Sequence, residues 1–538
     1  MNPSPKTAGL ICFIFVFILA VSPGFILPAH AQPVTDPVKP WIMPFDIGQE
    51  FQDDPIVEQP TQEQVYEFAW QSFIALNWPY LVSDDSGNPG QRGQPDGNAN
   101  PIPIFTTPTS TQSPIVVWET YMVPPDVFVE PIGWDVVWST PDFFDVESQL
   151  QSLRPPGYNG NFAPGINQPY THANVPTGPV VDQNKEYLRY QVTLNQSYFN
   201  YIATFKYYDG YQQEIAVKKF LDNAWNPGGA PPCDDTSCFQ AVPKGTEDYL
   251  QGQPDYARQG MVEIKAAWRV LQTEGENADI LERYFRRRMR MPMPDGTYEE
   301  KLFGLVGFHI HRVTPFGHLP STFEHVDNVE LSFNPNDPLP LPPTPSLNPG
   351  REGYEQGDGE WAFQPWPAYP NGYEVDGLTG QPGLIPPPFT QGDPVLPKDQ
   401  RRTINVSRST PIPMAVQKIN QRYQSRYRDS VWRYYQLIGT QGKSGTENNP
   451  FVEGENPNLG PGIPNTDLGP GIPGPQQSNT TNLVNTTLES FTQPGWSCAR
   501  CHINAFPQGV TAFPPYESRF TPLHVMSFLL LNAQSSKD

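Results

Sequence analysis

Met261-Val-Glu-Ile-Lys-Ala-Ala-Trp-Arg-Val270 is the stretch on which the fold turns. Val262, Ile264, Ala266, Trp268 and Val270 alternate with Met261, Glu263, Lys265 and Arg269. A helix is conceivable here, but period two fits better, because a 3.6-residue repeat would scatter the apolar positions around the cylinder. Leu188, Tyr190, Val192 and Leu194 repeat the pattern, Leu305 to Val313 reads as another strand, and Ile115 to Trp118 as a short buried one. The expected class is α+β: a β-rich main region with long Pro/Gly-rich loops and a few amphipathic helices.

Two helices stand out. Thr61-x-x-Gln64 is a capping box, followed by the stripe Val65, Phe68, Ala69, Phe73 and Leu76, and Asn77-Trp78-Pro79 ends it. Ile412, Val416, Ile419, Tyr423, Tyr427, Tyr434 and Ile438 predict a long amphipathic helix. Residues 32–60 read as an extended lead-in, and 84–114, 333–400 and 441–480 as Pro/Gly-rich loops. With 66 Pro against 37% hydrophobic residues, the core must draw heavily on the 31 Phe, 24 Tyr and 12 Trp.

The N-terminus reads as a secretory signal peptide over residues 1–31. Lys6 precedes the apolar run Leu10 to Val21, and Ala29-His30-Ala31 is an A-x-A cleavage site. Cys12 would leave with it; the alternative is an uncleaved anchor. The mature chain is then expected to be periplasmic or otherwise exported, soluble and not membrane-spanning. The net charge of −22, or −23 without Lys6, argues against nucleic acid and favours a cationic docking patch on any partner. Solubility alone explains the charge equally well. Cys233 and Cys238 read as a disulfide closing a short loop in an oxidising compartment, with two free thiols as the alternative.

Near the other end lies Cys498-Ala-Arg-Cys501-His502. C-x-x-C-H is the attachment sequence for covalent haem, with two thiols adding to the vinyl groups and the adjoining imidazole binding iron. A zinc half-site or a thioredoxin-like pair would need a second Cys/His pair or a βαβ context, and neither is visible. One haem c is therefore expected on Cys498, Cys501 and His502. Residues 481–538 carry this motif and one further helix, Pro522 to Ala533. So short a segment rarely builds its own core, so the haem is expected against the main region, residues 32–480.

Candidates for the second axial position are Met526, His309 and His311. His309 and His311 share a face if they lie on a strand, within a group that also holds His318 and His325. Met526 reads more readily as a core residue of the last helix. Glu324-His-Val-Asp-Asn328 could hold a metal or orient a histidine, or form a structural turn. Arg283 to Arg290, with five arginines, could pair haem propionates or an anionic substrate, or form a solvated basic face. Gly442-Lys443-Ser444 lacks the leading glycine of a phosphate loop, since position 437 is Leu.

Trp496-Ser-Cys-Ala-Arg-Cys-His-Ile-Asn-Ala505, followed by Ser527-Phe-Leu-Leu530 and Ala533-Gln534, resembles a group of large bacterial exported mono-haem cytochrome c proteins. Ala69-Trp-Gln-Ser-Phe-Ile-Ala-Leu-Asn-Trp-Pro79, Glu263-Ile-Lys-Ala-Ala-Trp268, Gly307-Phe-His-Ile310, Ser321-Thr-Phe-Glu-His-Val-Asp-Asn328 and Leu437-Ile-Gly-Thr-Gln441 are similar too. The resemblance implies thioethers at Cys498 and Cys501 and axial ligation by His502. Met526 stands where such sequences more often have an aromatic. Two-haem peroxidases need a second C-x-x-C-H, which this chain lacks. The functions that follow are electron transfer with a redox partner protein, a haem-dependent oxidoreductase with His309, His311 and His325 beside the haem, or haem-based binding or sensing without turnover.

Overall fold

The computed structural model describes residues 39–57, 60–104, 113–138, 182–224, 237–275, 278–292, 298–329, 339, 345–347, 412–440, 483, 485–488 and 529–536. Their centre is an antiparallel sheet of seven strands: β1 (Arg189–Leu194), β2 (Val262–Val270), β3 (Arg286–Pro292), β4 (Tyr298–Thr314), β5 (Gly317–His318), β6 (Ser321–His325) and β7 (Tyr435–Thr440). The order is β1-β2-β4-β6-β7, with β3 and β5 also on β4. β4 organises the rest. β2 lies along one edge of it, while β3, β6 and β5 share the other. Thr314 pairs with Gly317, so Pro315-Phe316 is a two-residue turn, and Gly317 at φ 141° takes a conformation that a side chain would resist.

One face of the sheet is apolar. Ile264, Ala266, Trp268, Phe308, Ile310, Phe323 and Leu437 form a core with α1 (Gln62–Leu76) and α5 (Met414–Arg426). The Thr61–Gln64 capping box forms as the spacing predicts. Phe73 of α1 stacks on Phe323 at 4.3 Å between ring centroids, and Trp70 stacks on Tyr423 of α5 at 5.0 Å. Each buried ring contributes about 1.5–3 kcal/mol relative to exposure. Asn420 of α5 accepts from the Trp70 indole and from Leu437 N–H, and donates to Leu437 C=O, each bond at 2.9 Å. One side chain thus satisfies the backbone on the outer edge of β7, which would otherwise invite pairing.

Several expectations are corrected. Ile115–Trp118 is no strand: Val116 makes a single bridge to Pro79, and Val117–Thr120 is a 3₁₀ turn. Glu119 drives this, accepting from Val116 N–H at 3.0 Å. The amphipathic helix stops at Arg426, and Tyr434 and Ile438 belong to a 3₁₀ turn and to β7. Ser430 caps that turn through Trp432 N–H, and the aromatic and β-branched run behind it suits a pleated surface. Within the expected Pro522–Ala533 helix, the described part Leu529–Asn532 is a 3₁₀ turn, and Leu523, Met526 and Phe528 lie outside the described residues. After the single helical turn α2 (Pro124–Val127), helices α3 (Gln196–Phe205) and α4 (Gly210–Ala224) were not anticipated. Their signals were the cap residues Asn195, which accepts from Tyr198 N–H, and Asp209, which accepts from Tyr211 N–H.

Candidate functional site

The opposite face of the sheet is polar at its middle. Alternation places Glu263 and Lys265 of β2 here, opposite His311 and His309 of β4. Thr322 and Glu324 of β6 join them, paired with His309 and Gly307. His309 and His311 therefore do share a face. The contact that forms, however, is between His311 and His318. His311 Nε2 lies 3.3 Å from His318 Nδ1, with rings inclined by only 23°, and Glu263 Oε2 stands 3.8 Å from His311 Nδ1. The β4–β5 hairpin produces this meeting, because His318 pairs with Val313, two residues beyond His311 on the same face. Both histidines of the pair are buried. His309 is half-buried, as is Lys265 directly across from it, whereas the rest of β2 and of β4 from Leu302 to Thr314 is buried.

Two segments from the C-terminal part of the chain rest on this face. On one side, Asn485 donates to Thr322 Oγ1 at 2.8 Å and to Phe323 C=O at 2.9 Å. Thr486 N–H donates to Glu324 Oε1 at 2.5 Å, and Tyr190 OH to Thr487 C=O at 3.0 Å. The seat is cut for this segment. A Cβ on Gly307 would stand 1.9 Å from Thr487 Oγ1, and one on Gly439 would stand 2.8 Å from Leu483 Cδ1. On the other side, Leu529, Leu530 and Ala533 share an apolar cluster with Val192, Leu194, Met261 and Val313. Gln213 fastens that end by donating to Leu530 C=O at 3.0 Å. His309 and His311 lie along β4 between these two attachments.

Cys498, Cys501, His502 and Met526 lie outside the described residues, as does Cys233; Cys238 is buried and disulfide-bonded. Among the described residues no three His, Cys, Asp or Glu side chains converge as a metal cage, and no helix is long and apolar enough to cross a membrane. No family model, curated protein or solved structure matches the chain.

His325 does not join His309 and His311, contrary to the expected three-histidine site. On β6 it follows Glu324 and so points to the other side. Its ring stacks on Tyr284 at 4.1 Å and meets Tyr435 edge-on at 5.2 Å. Nδ1 accepts from Asp327 N–H at 3.2 Å, which leaves Nε2 as the protonated nitrogen donating to Arg283 C=O at 3.0 Å. Burial, opposed more weakly by Asp327, holds its pKa down at about 4. Both nitrogens are used, and the imidazole stays neutral. Glu324 and His325 end β6, and the chain turns at Val326–Asp327, with Asn328 N–H donating to His325 C=O.

The arginine run is likewise corrected, since Arg283, Arg286 and Arg287 are buried rather than spread on a solvated face. Arg283 forms a bidentate pair with Asp327 at 2.6 and 2.7 Å, its guanidinium 4.3 Å from the centre of the Tyr434 ring. Arg287 pairs with Glu119. Arg283 and Arg287 are thus committed to carboxylates inside the fold.

Proposed function

We propose that this chain is an exported mono-haem c-type cytochrome that carries one haem on Cys498, Cys501 and His502 and passes single electrons to a partner protein. The observation that carries the reading is the C-x-x-C-H motif itself. The fold supports it: the chain on either side of the motif is fastened to one sheet face, and that face presents imidazoles, the nitrogen donors that iron takes. The donor set therefore fits the group. Thioether bonds from Cys498 and Cys501 would hold the porphyrin edge and His502 the iron, and when bound the haem supplies reversible one-electron chemistry. The similarity to large exported mono-haem cytochromes c points the same way. The formal charge of −22 suits a partner with a cationic docking patch.

The test is production of the full chain in a host competent for cytochrome c maturation. The haem should stay with the denatured polypeptide, at one per chain, and Cys498→Ala/Cys501→Ala should lose it. Colourless protein with both thiols free overturns the reading.

A second reading, a haem-dependent oxidoreductase, draws on the buried Glu263–His311–His318 array, an ordered set of acid–base groups on the same face. It requires an iron with an open position. Carbon monoxide binding to the reduced protein separates the two: uptake favours catalysis, and indifference favours transfer.

A further inference from the structure

We infer that the strip from Glu130 to Trp138 is a docking surface for a protein whose contact face is apolar at its centre and rimmed by lysine or arginine. The strip has a fixed base. Beyond Gly133, where φ is 76°, burial alternates: Trp134, Val136 and Trp138 are half-buried against the apolar cluster of α3 and α4, and Asp135 and Val137 are exposed. The Trp134 ring stacks on Tyr208 at 3.9 Å between centroids, inclined by 3°, and leans on buried Phe199 at 6.1 Å. Its indole N–H donates to Val127 C=O at 2.9 Å. Aromatic side chains held in this way lose little freedom when a partner covers them.

On that base stand Ile132, 74% exposed, and Val137, 67% exposed. Of the six large apolar side chains exposed among the described residues, these are the only two within ten positions of each other. Single exposed apolar residues are ordinary on a protein surface, but a pair bracketing a half-buried tryptophan has the composition of an interface centre.

Charge selects the occupant. From Ser113 to Trp138 the chain carries Glu119, Asp126, Glu130 and Asp135 and no Lys, Arg or His. Glu119 is committed to Arg287, whereas Glu130 and Asp135 are exposed at the border of the strip. Against them stands Lys206, two residues before Tyr208. A second copy docked across a two-fold axis would set Glu130 and Asp135 against their own kind, in a chain whose formal charge is −22. An anionic lipid surface or a nucleic acid is repelled for the same reason. A protein with an apolar centre and a basic rim answers both the strip and its border. None of these residues depends on haem, so the surface stands or falls apart from the haem reading.

The probe is a small basic cytochrome c, chosen for lysines around an apolar haem edge and titrated calorimetrically into the full chain. Wild type should bind it, with affinity falling as salt rises. Glu130→Lys/Asp135→Lys should weaken binding about tenfold and flatten the salt dependence. Ile132→Ser/Val137→Ser should weaken it about tenfold with the salt dependence kept. All four side chains are exposed, so each double variant should keep the wild-type unfolding midpoint. Asp53→Lys/Glu274→Lys makes the same charge change at exposed positions in other loops and should leave affinity within about twofold. Wild type that ignores the probe overturns the assignment, and so does an equal loss in the Asp53/Glu274 pair, which would mean diffuse attraction to an acidic protein. A wild-type dimer in sedimentation that Ile132→Ser/Val137→Ser dissociates overturns it too, by making a second copy the occupant.

Discussion

Gly307→Ala tests how residues 485–488 are held against the sheet. The added methyl would stand 1.9 Å from Thr487 Oγ1, 3.2 Å from Thr487 Cβ and 3.3 Å from the methyl of Ala267, so the segment must lift rather than a side chain swing aside. Overpacking of this kind costs about 1–3 kcal/mol. Displacing Thr487 also strains its hydroxyl bond to Asn485 Oδ1, 2.7 Å in the native structure, for roughly 0.5–1.5 kcal/mol more. The sum, about 1.5–4.5 kcal/mol, falls on local opening of residues 485–488, because β4 itself is held by β2 and β6 on both edges. At about 1.4 kcal/mol per decade, exchange of the Thr486, Thr487 and Leu488 amides should accelerate roughly 10- to 1,600-fold. Hydrogen exchange followed by mass spectrometry reads this directly, with α1 peptides as the unaffected control. Thr487→Ala removes the clashing oxygen, so the double variant should open less readily than the two single effects predict by about 1 kcal/mol. Wild-type exchange at 485–488 in Gly307→Ala, or strict additivity, would refute the seat described here.

Three further outcomes follow from the interior. His325, held at about 4 against an ordinary 6.5, binds fewer protons folded than unfolded between these values; stability present in full above pH 6.5 should be lost as pH falls to 4, by on the order of 3 kcal/mol. His325→Gln should flatten that slope in denaturant titrations across the window, and an equal slope in both proteins would count against it. Arg283→Met and Asp327→Asn should each cost about 3–5 kcal/mol, since each leaves a buried group without its bidentate partner. The double variant should cost less than their sum, as read by shifts in denaturation midpoint. Asn420→Leu should destabilise by about 3 kcal/mol or more, because the Trp70 indole and both backbone groups of Leu437 lose their partner together. Fluorescence-monitored unfolding measures it, and a change below 1 kcal/mol would mean that other groups satisfy that edge.

How far the sequence could be read depended on whether the deciding contact was local. The first helix was legible because Thr61 and Gln64 are three residues apart and cap each other, with the apolar stripe beginning in the next turn. β1, β2 and β4 were legible from period two. Where Tyr423, Tyr427, Tyr434 and Ile438 kept a near-helical spacing, Ser430 still broke the helix, because Tyr435 to Thr440 gains more by joining β6. Glu119 turned the Val116 region because its carboxylate answers Arg287, a residue 168 positions away. No local pattern announces such a partner. The His311–His318 meeting belongs to the same class, being set by a hairpin register that Thr314-Pro-Phe-Gly317 only hints at.

The alternation in β2 carries a wider lesson about the candidate site. Polar positions in an antiparallel strand usually mark a solvated face, which would make Glu263, Lys265 and Arg269 surface residues. Here Glu263 and Arg269 are buried, with Arg269 held by Asp182 and Asp279 at 2.6 Å each. Period two thus reported which side of the strand was polar, and something else decided which side was wet. Part of the answer is chain from later in the sequence: residues 485–488, 529, 530 and 533 lie against this face, beside apolar clusters drawn from earlier segments such as Tyr198, Phe199 and Ile202. A protein covering the polar side of its sheet must supply partners for the charges there, at a cost that packing alone does not repay. The fold accepts that cost along β2 and along β4 from Leu302 to Thr314, where Lys265 and His309 stay partly buried. If covering the face served packing alone, apolar residues at 263, 265, 309 and 311 would serve it better.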